Sequence, residues 1–162
     1  MNLKDALLKD KNKAFSFDAI NYSQEIALNS IAQKLDCGAK IIQFYFKNAS
    51  DSQNVEIGHK LRQLCSIYNA LLVVNSRADI AQIIQADGLC LFKGDITPIQ
   101  AKKIFHNDII LAMHIRNDQD AILAYENQID YICADEDNKP LLNGKIKALN
   151  KIKIIELDRQ IL

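Results

Sequence analysis

Apolar positions fall along the chain in short blocks, separated by longer stretches in which they recur every three or four residues. The blocks are AFSFDAI (14–20), AKIIQFYF (39–46), ALLVVN (70–75), DGLCLF (87–92), DIILAMH (108–114), IDYICA (129–134) and IKIIEL (152–157). Each is rich in Ile, Val, Phe or Tyr and mostly unbroken by charge. That pattern predicts strands buried on both faces, as in a parallel sheet.

The intervening stretches carry helix signals. Asn21 or Ser23 can cap a helix whose apolar face includes Ile26, Ile31 and Leu35, with Gly38 just past its end. Asp51 or Ser52 can start the next, with Val55, Ile57, Leu61 and Leu64 near helical spacing. A short helix is expected after the Arg77-Ala78-Asp79 turn. Thr97-Pro98 pairs a capping hydroxyl with a proline at the first helical position. Asn117 or Asp118 can cap a helix carrying Ile122 and Tyr125, and a last helix is expected near 142–149.

Strand and helix alternate throughout, so the fold class is α/β. Two architectures fit: an open doubly wound sheet and a (β/α) barrel of the TIM type. Length favours the open sheet, because such barrels usually need about 250 residues. Seven predicted strands would leave a barrel one short. Neither a GxGxxG turn nor a GxxxxGK[ST] loop occurs, so dinucleotide and P-loop chemistry lose their usual support.

The 162 residues, 49% apolar, suit a single domain over 1–162 with a core of its own. Twenty acidic residues balance twenty basic ones, which leaves no net field to hold nucleic acid or an anionic membrane. The opening MNLKDALLKDKNK lacks the apolar centre of a signal peptide, and no apolar run reaches membrane-spanning length. Cys37, Cys65, Cys90 and Cys133 are scattered without a CxxC pair. Reduced thiols in a cytoplasmic protein are expected.

Four segments, in order, resemble the thiamine phosphate synthase and thiazole tautomerase (TenI) superfamily. "CGAKIIQFYFK" is similar to its second strand, where a Gln-x-Arg-x-Lys motif binds diphosphate. "LCSIYNALLVVNSRADIAQIIQADGLCLFKGD" is similar to its next two units, with Asn-Asp-Arg after the third strand and Ala-Asp-Gly-Val-His-Leu-Gly-Gln-x-Asp around the fourth. "AILAYENQIDYI" is similar to its fifth helix and sixth strand. The resemblance implies an incomplete (β/α) barrel of about seven strands, shortened at its C-terminal end. It implies a small phosphorylated or pyrimidine-type ligand at the strand C-termini, with magnesium as the family's cofactor. Gln43, Lys47 and Asn75 stand at matching substrate-binding positions, and Asp95 at a metal-binding one. Tyr45 replaces the motif arginine, Ser76 the magnesium aspartate, and Cys90 the histidine of the fourth strand. The Gly-x-Ser-x-His positions after the fifth strand are Ala112, His114 and Arg116.

His114 and Arg116 therefore join the substrate-binding candidates, Arg116 because its guanidinium can grip a phosphate with two parallel hydrogen bonds. Cys90, His114 and Cys133, at the ends of neighbouring strands, raise a soft metal site as a further arrangement. The substitutions lead us to expect little synthase turnover. The competing reading is a non-catalytic interaction or self-association module. Seven strands would leave an unpaired edge, covered by a homodimer or by segment 1–13. The register places Gln43, Lys47, Asn75, Asp95 and His114 at one concave mouth.

Overall fold

The computed structural model describes residues 13–106, 108–138, 140 and 153–162. Its strands are β1 (Lys13–Asp18), β2 (Ala39–Phe44), β3 (Leu71–Asn75), β4 (Gly88–Leu91), β5 (Ile110–His114), β6 (Tyr131–Cys133), β7 (Lys153–Ile154) and β8 (Leu157–Ile161). The helices are α1 (Gln24–Asp36), α2 (Asp51–Ile67), α3 (Ala78–Ile83), α4 (Pro98–Ile104) and α5 (Asp118–Glu126), followed by a 3₁₀ turn at Glu136–Asn138. The expected helix near 142–149 lies outside the described residues.

All pairings are parallel, in the order β7-β6-β5-β4-β3-β2-β1-β8. Only Ile155 and Glu156 separate β7 from β8, so the two ends of the sheet are halves of one chain segment. Its first half pairs with β6, and its second half pairs with β1 from Ala14↔Leu157 to Asp18↔Ile161. The result is a seven-strand, incomplete barrel of the TIM type, not the open doubly wound sheet that length favoured. Among the described residues the unpaired edge expected at the last predicted strand, IKIIEL, is absent, because that segment runs into β8 and pairs with β6 and then β1. The cover expected from segment 1–13 falls on residues of which 1–12 lie outside the described part.

Period-two alternation divides each strand. Ala14, Ile41, Val73, Cys90, Ala112, Tyr131 and Cys133 fill the interior, while Phe15, Ile42, Val74, Leu89, Leu111 and Ile132 meet the helices. Gly88 is required by that packing, since a Cβ there would meet the Ile110 carbonyl oxygen and Val73 Cγ2 at 3.0 Å. Two aspartates tie neighbouring strands at their N-terminal ends. Asp87 Oδ2 accepts from Leu72 N at 2.8 Å, and Asp130 Oδ2 accepts from Leu111 N at 2.8 Å.

Ser23, Thr97 and Asn117 cap their helices, and Thr97 forms a reciprocal box with Gln100. The cap of α2 is Ser50 rather than Asp51 or Ser52, because Gln53 can close a box only with Ser50. Gly38 follows α1 at φ 89°, a left-handed turn that favours glycine. Three expected core residues face solvent instead: Ile26, Ile122 and Tyr125. In α5 it is Ala121 and Ala124 that face the sheet, and Ile122 is turned about 100° away from that line.

Removing residues 157–162 should leave the β1 backbone unpaired. The expected outcome is loss of a cooperative melt and self-association visible by light scattering. A monomeric truncated chain with the native melting profile would show that this strand is not what closes the sheet.

Candidate functional site

The strand C-termini surround a cavity of about 730 Å³. Parallel strands that alternate inside and outside bring their last inward residues to this one mouth. Ser16 of β1, Asn75 of β3 and His114 of β5 line it, with Phe92 just past β4. The following loops add Lys47, Ser76, Lys93, Asp95 and Arg116. Of the candidate residues, Lys47, Asn75, Asp95, His114 and Arg116 are thus brought together.

Gln43 is the exception. It points into the barrel but lies below the mouth, fully buried, with Nε2 donating to Tyr131 Oη at 2.5 Å. Its Oε1 has no partner. One step nearer the mouth, Asn75 Nδ2 donates to Ser16 Oγ at 3.2 Å, and Oδ1 is unpartnered. Whichever way either amide is turned, one polar end stays unmatched.

Buried Asn54 positions Lys47. Its side chain accepts from Phe46 N at 3.0 Å and donates to Phe46 O at 3.0 Å and Ser50 O at 3.1 Å, clasping the β2–α2 loop from inside. Nothing in the sequence pattern marked Asn54, since a helical asparagine usually faces water. Tyr45 and Arg77 form a second clamp. Arg77 donates to Tyr45 Oη at 3.0 Å, to Asp51 Oδ1 at 2.6 Å and to both Asp79 oxygens at 2.9 and 2.7 Å. Its guanidinium holds the Asp51 and Asp79 carboxyls below the ordinary carboxylate range. Arg77 is therefore engaged with the scaffold and does not line the cavity.

His114, 7% exposed, stacks on Phe92 with ring centroids 4.6 Å apart and an interplanar angle of 11°. Its Nε2 makes no hydrogen bond, although Asp135 Oδ2 lies 3.3 Å away. The opposite oxygen of Asp135 lies 3.9 Å from Arg159, whose other nitrogen is 3.8 Å from Asp18. Asp18, Asp135 and Arg159 are site residues that the sequence pattern missed. They meet only because β8 pairs with β1, a contact without a local signature.

Asp95 spends one oxygen on its own loop, where Oδ2 accepts from Phe92 N at 2.7 Å. Ser76, at φ 64°, lines the cavity at the position where the resembled family carries its magnesium aspartate. Among the described residues no three His, Cys, Asp or Glu side chains converge to hold a metal. Magnesium is ordinarily held by one or two carboxylates together with substrate phosphate and water rather than by an all-protein cage, and Asp95 is the carboxylate of the expected set that lines the mouth. The Cys-His-Cys arrangement falls: Cys90 and Cys133 sulfurs lie 3.7 Å apart, but no third ligand joins them. Burial and the neighbouring thiol push the Cys90 thiol up, and burial pushes the Cys65 thiol up to about 12. Among the described residues no helix is long and apolar enough to cross a membrane.

Known proteins are similar to this chain in sequence and fold. A family model described as thiamine monophosphate synthase matches residues 18–136. The thiamine-phosphate synthase of Methanococcus maripaludis strain C5 is 38% identical over 124 residues, covering 76% of this chain and 58% of that protein. The solved thiamine phosphate pyrophosphorylase from Pyrococcus furiosus superposes with a TM-score of 0.76 at 30% identity, over 91% of this chain and 76% of that one. A phosphoribosylanthranilate isomerase from Thermotoga maritima, at 16% identity and TM-score 0.54, shares the fold alone. The chain spans about half the length of the curated relatives it matches.

Two measurements check the interior. Gln43→Leu should cost about 1–3 kcal/mol in chemical denaturation, because it strands the buried Tyr131 hydroxyl. Adding Tyr131→Phe should recover most of that loss; a double variant as unstable as the single one would show that the pair does not act as a unit. In the native protein only Cys37, the exposed thiol, should react promptly with a maleimide. The remaining three should label only after unfolding, and rapid native labelling of Cys90 or Cys133 would contradict the closed interior.

Proposed function

Because the chain belongs to the thiamine monophosphate synthase family, we propose that its barrel mouth binds a small phosphorylated ligand of the thiazole or pyrimidine type, without full synthase turnover. The observation that carries this reading is the convergence of Lys47, Lys93 and Arg116 on one cavity of about 730 Å³ at the strand C-termini. Lysine and arginine side chains aimed into a partly enclosed cavity bind phosphate oxygens through charge-assisted hydrogen bonds. Barrels of this class place their ligands at that end.

The same residues supply less than a diphosphate departure requires. A leaving diphosphate gathers negative charge in the transition state and needs fixed cations there. Tyr45 brings no charge, and the hydroxyl of Tyr45 accepts from Arg77, which is itself tied to Asp51 and Asp79. Ser76 offers a neutral oxygen, and Asp95 is half engaged by its loop. No step is assigned to magnesium; Asp95 is the residue that would hold it, together with substrate phosphate and water. Arg116 stays charged near neutral pH and cannot exchange a proton as a tautomerase histidine does. His114, buried beside Asp135, is the one imidazole among the residues lining the mouth.

The test is a thermal-shift and calorimetric titration with thiazole phosphate and with pyrimidine diphosphate, each with and without magnesium. Binding of at least one compound is expected, weakened about tenfold or more by Lys47→Ala or Arg116→Ala. Turnover with both compounds and magnesium should stay near background. Robust turnover abolished by Asp95→Ala would overturn the non-synthase part, and absence of binding by either compound would overturn the ligand reading.

A further inference from the structure

Two thiols in the barrel interior take no part in the mouth described above. Cys90 of β4 and Cys133 of β6 are both 0% exposed, and their sulfurs lie 3.7 Å apart across β5. Ala112 is the β5 partner of Cys90 and His114 that of Cys133. The small Ala112 shares their interior cluster, so no bulky β5 side chain stands between the sulfurs. Phe92, two residues beyond Cys90, packs against the same cluster, stacks on His114 and lines the mouth. The pair thus lies just below the mouth, behind one aromatic side chain.

Geometry narrows what the pair can do. With β5 between them, the backbones of β4 and β6 stand two interstrand steps of about 4.8 Å apart, beyond the roughly 7 Å Cα separation that a disulfide spans. Structural zinc takes four ligands, and among the described residues no third His, Cys, Asp or Glu joins the two sulfurs. A soft monovalent ion needs only two sulfur ligands, and thiolates select such ions. With metal–sulfur bonds of about 2.3 Å, a linear ion sets its sulfurs about 4.6 Å apart, an opening of about 0.9 Å from the 3.7 Å seen here.

We infer that Cys90 and Cys133 form a two-coordinate site for a soft monovalent cation of the copper(I) or silver(I) class, reached past Phe92 and independent of phosphate binding. One S–H bond breaks, one proton leaves to solvent and two metal–sulfur bonds form; no electron is transferred. The bound unit is one thiolate, one thiol and one cation. It is neutral, and so avoids the cost of burying a net charge. Cys90 is the thiolate, because the His114 backbone N–H donates toward its sulfur. Cys133 keeps its proton, which points to Met113 O at 3.8 Å. Burial leaves Cys90 protonated until the ion replaces the proton, so the pair stays inert to a bulky maleimide and open to a bare ion.

The experiment uses the full chain carrying Cys37→Ser, which removes the exposed thiol, dialysed against silver nitrate and, separately, zinc nitrate. One silver ion per chain should be held, with release of one proton and a raised melting temperature, as a ligand of the native state requires. X-ray absorption at the silver edge should show two sulfur neighbours. Adding Cys90→Ala or Cys133→Ala should weaken silver binding about a hundredfold or more, since losing an outer partner of a metal ligand already costs up to that much. A single sulfur neighbour, a silver ion that lowers the melting temperature, or unchanged affinity in both variants would overturn the site. Zinc held as tightly as silver would overturn its assignment to a monovalent ion. The absorption measurement needs no interior variant and decides the matter even if those variants fail to fold.

Discussion

The backbone of β1 needs a partner on each side, and the chain meets that need with its last residues. One edge of β1 pairs with β2, and the other would present bare N–H and C=O groups, costly to bury and prone to association. Leu157–Ile161 removes that edge, and the closure continues past the strands, where Leu162 N donates to Asp18 O and Ile20 N donates to Leu162 O. The economy lies in one segment serving two neighbours in succession, first β6 and then β1. A sheet that has eight strands in a full barrel of this type joins its two ends here with seven. The mouth depends on this pairing, because it sets Arg159 beside Asp18 and brings Asp135 within reach of both.

Closure fixes the interior, and the interior fixes the mouth. Once the strands form a ring, every second side chain must share a narrow space, so volume and polarity are chosen together. The lower positions take Ala14, Ile41, Leu71 and Ile110; the upper ones can be polar because water or a ligand reaches them. Gln43 and Tyr131 stand at the transition. They are too deep for solvent and satisfy each other in part, and burial raises the Tyr131 hydroxyl well above its usual range. Gln43 thus braces the floor of the cavity, while Lys47, four residues on, reaches its rim. Asn54 makes the second placement possible by holding the loop between them.

Much of this was legible in the sequence because it is local. Charge-poor apolar blocks marked β1 to β6, and Ser23, Thr97-Pro98 and Asn117 marked helix starts through hydroxyl or amide groups next to free N–H donors. The family-like order of residues put Gln43, Lys47, Asn75, Asp95 and His114 at one mouth; the last four line it, while Gln43 is buried below it on Tyr131. What stayed hidden is non-local. The Gln43–Tyr131 bond spans 88 residues, and no periodicity encodes it. Pairing of the last strand with the first left only a short apolar run, which looked the same whether it formed an edge or a closure. Ile26, Ile122 and Tyr125 misled for a different reason: small Ala27, Ala121 and Ala124 let the helices sit close to the sheet, so the larger neighbours turned outward.

The replacements at Tyr45 and Ser76 make physical sense together. Arg77 sits where a cation could help an anion at the mouth, yet its donors are claimed by Tyr45, Asp51 and Asp79. Its guanidinium also lies over the Tyr45 ring, 5.5 Å from the centroid. An arginine at position 45 would set two guanidinium groups against each other in this clamp, and a carboxylate at 76 would compete for Arg77. A tyrosine and a serine avoid both conflicts and leave the clamp intact. The cations that line the mouth stand on other loops, at Lys47, Lys93 and Arg116, the last with its Nε 3.5 Å from Asp120, while Asp18, Asp135 and Asp158 line the opposite arc. Arg77 thus serves the scaffold, and the positive charge that reaches the mouth is carried by Lys47, Lys93, Arg116 and Arg159 among the described residues lining it.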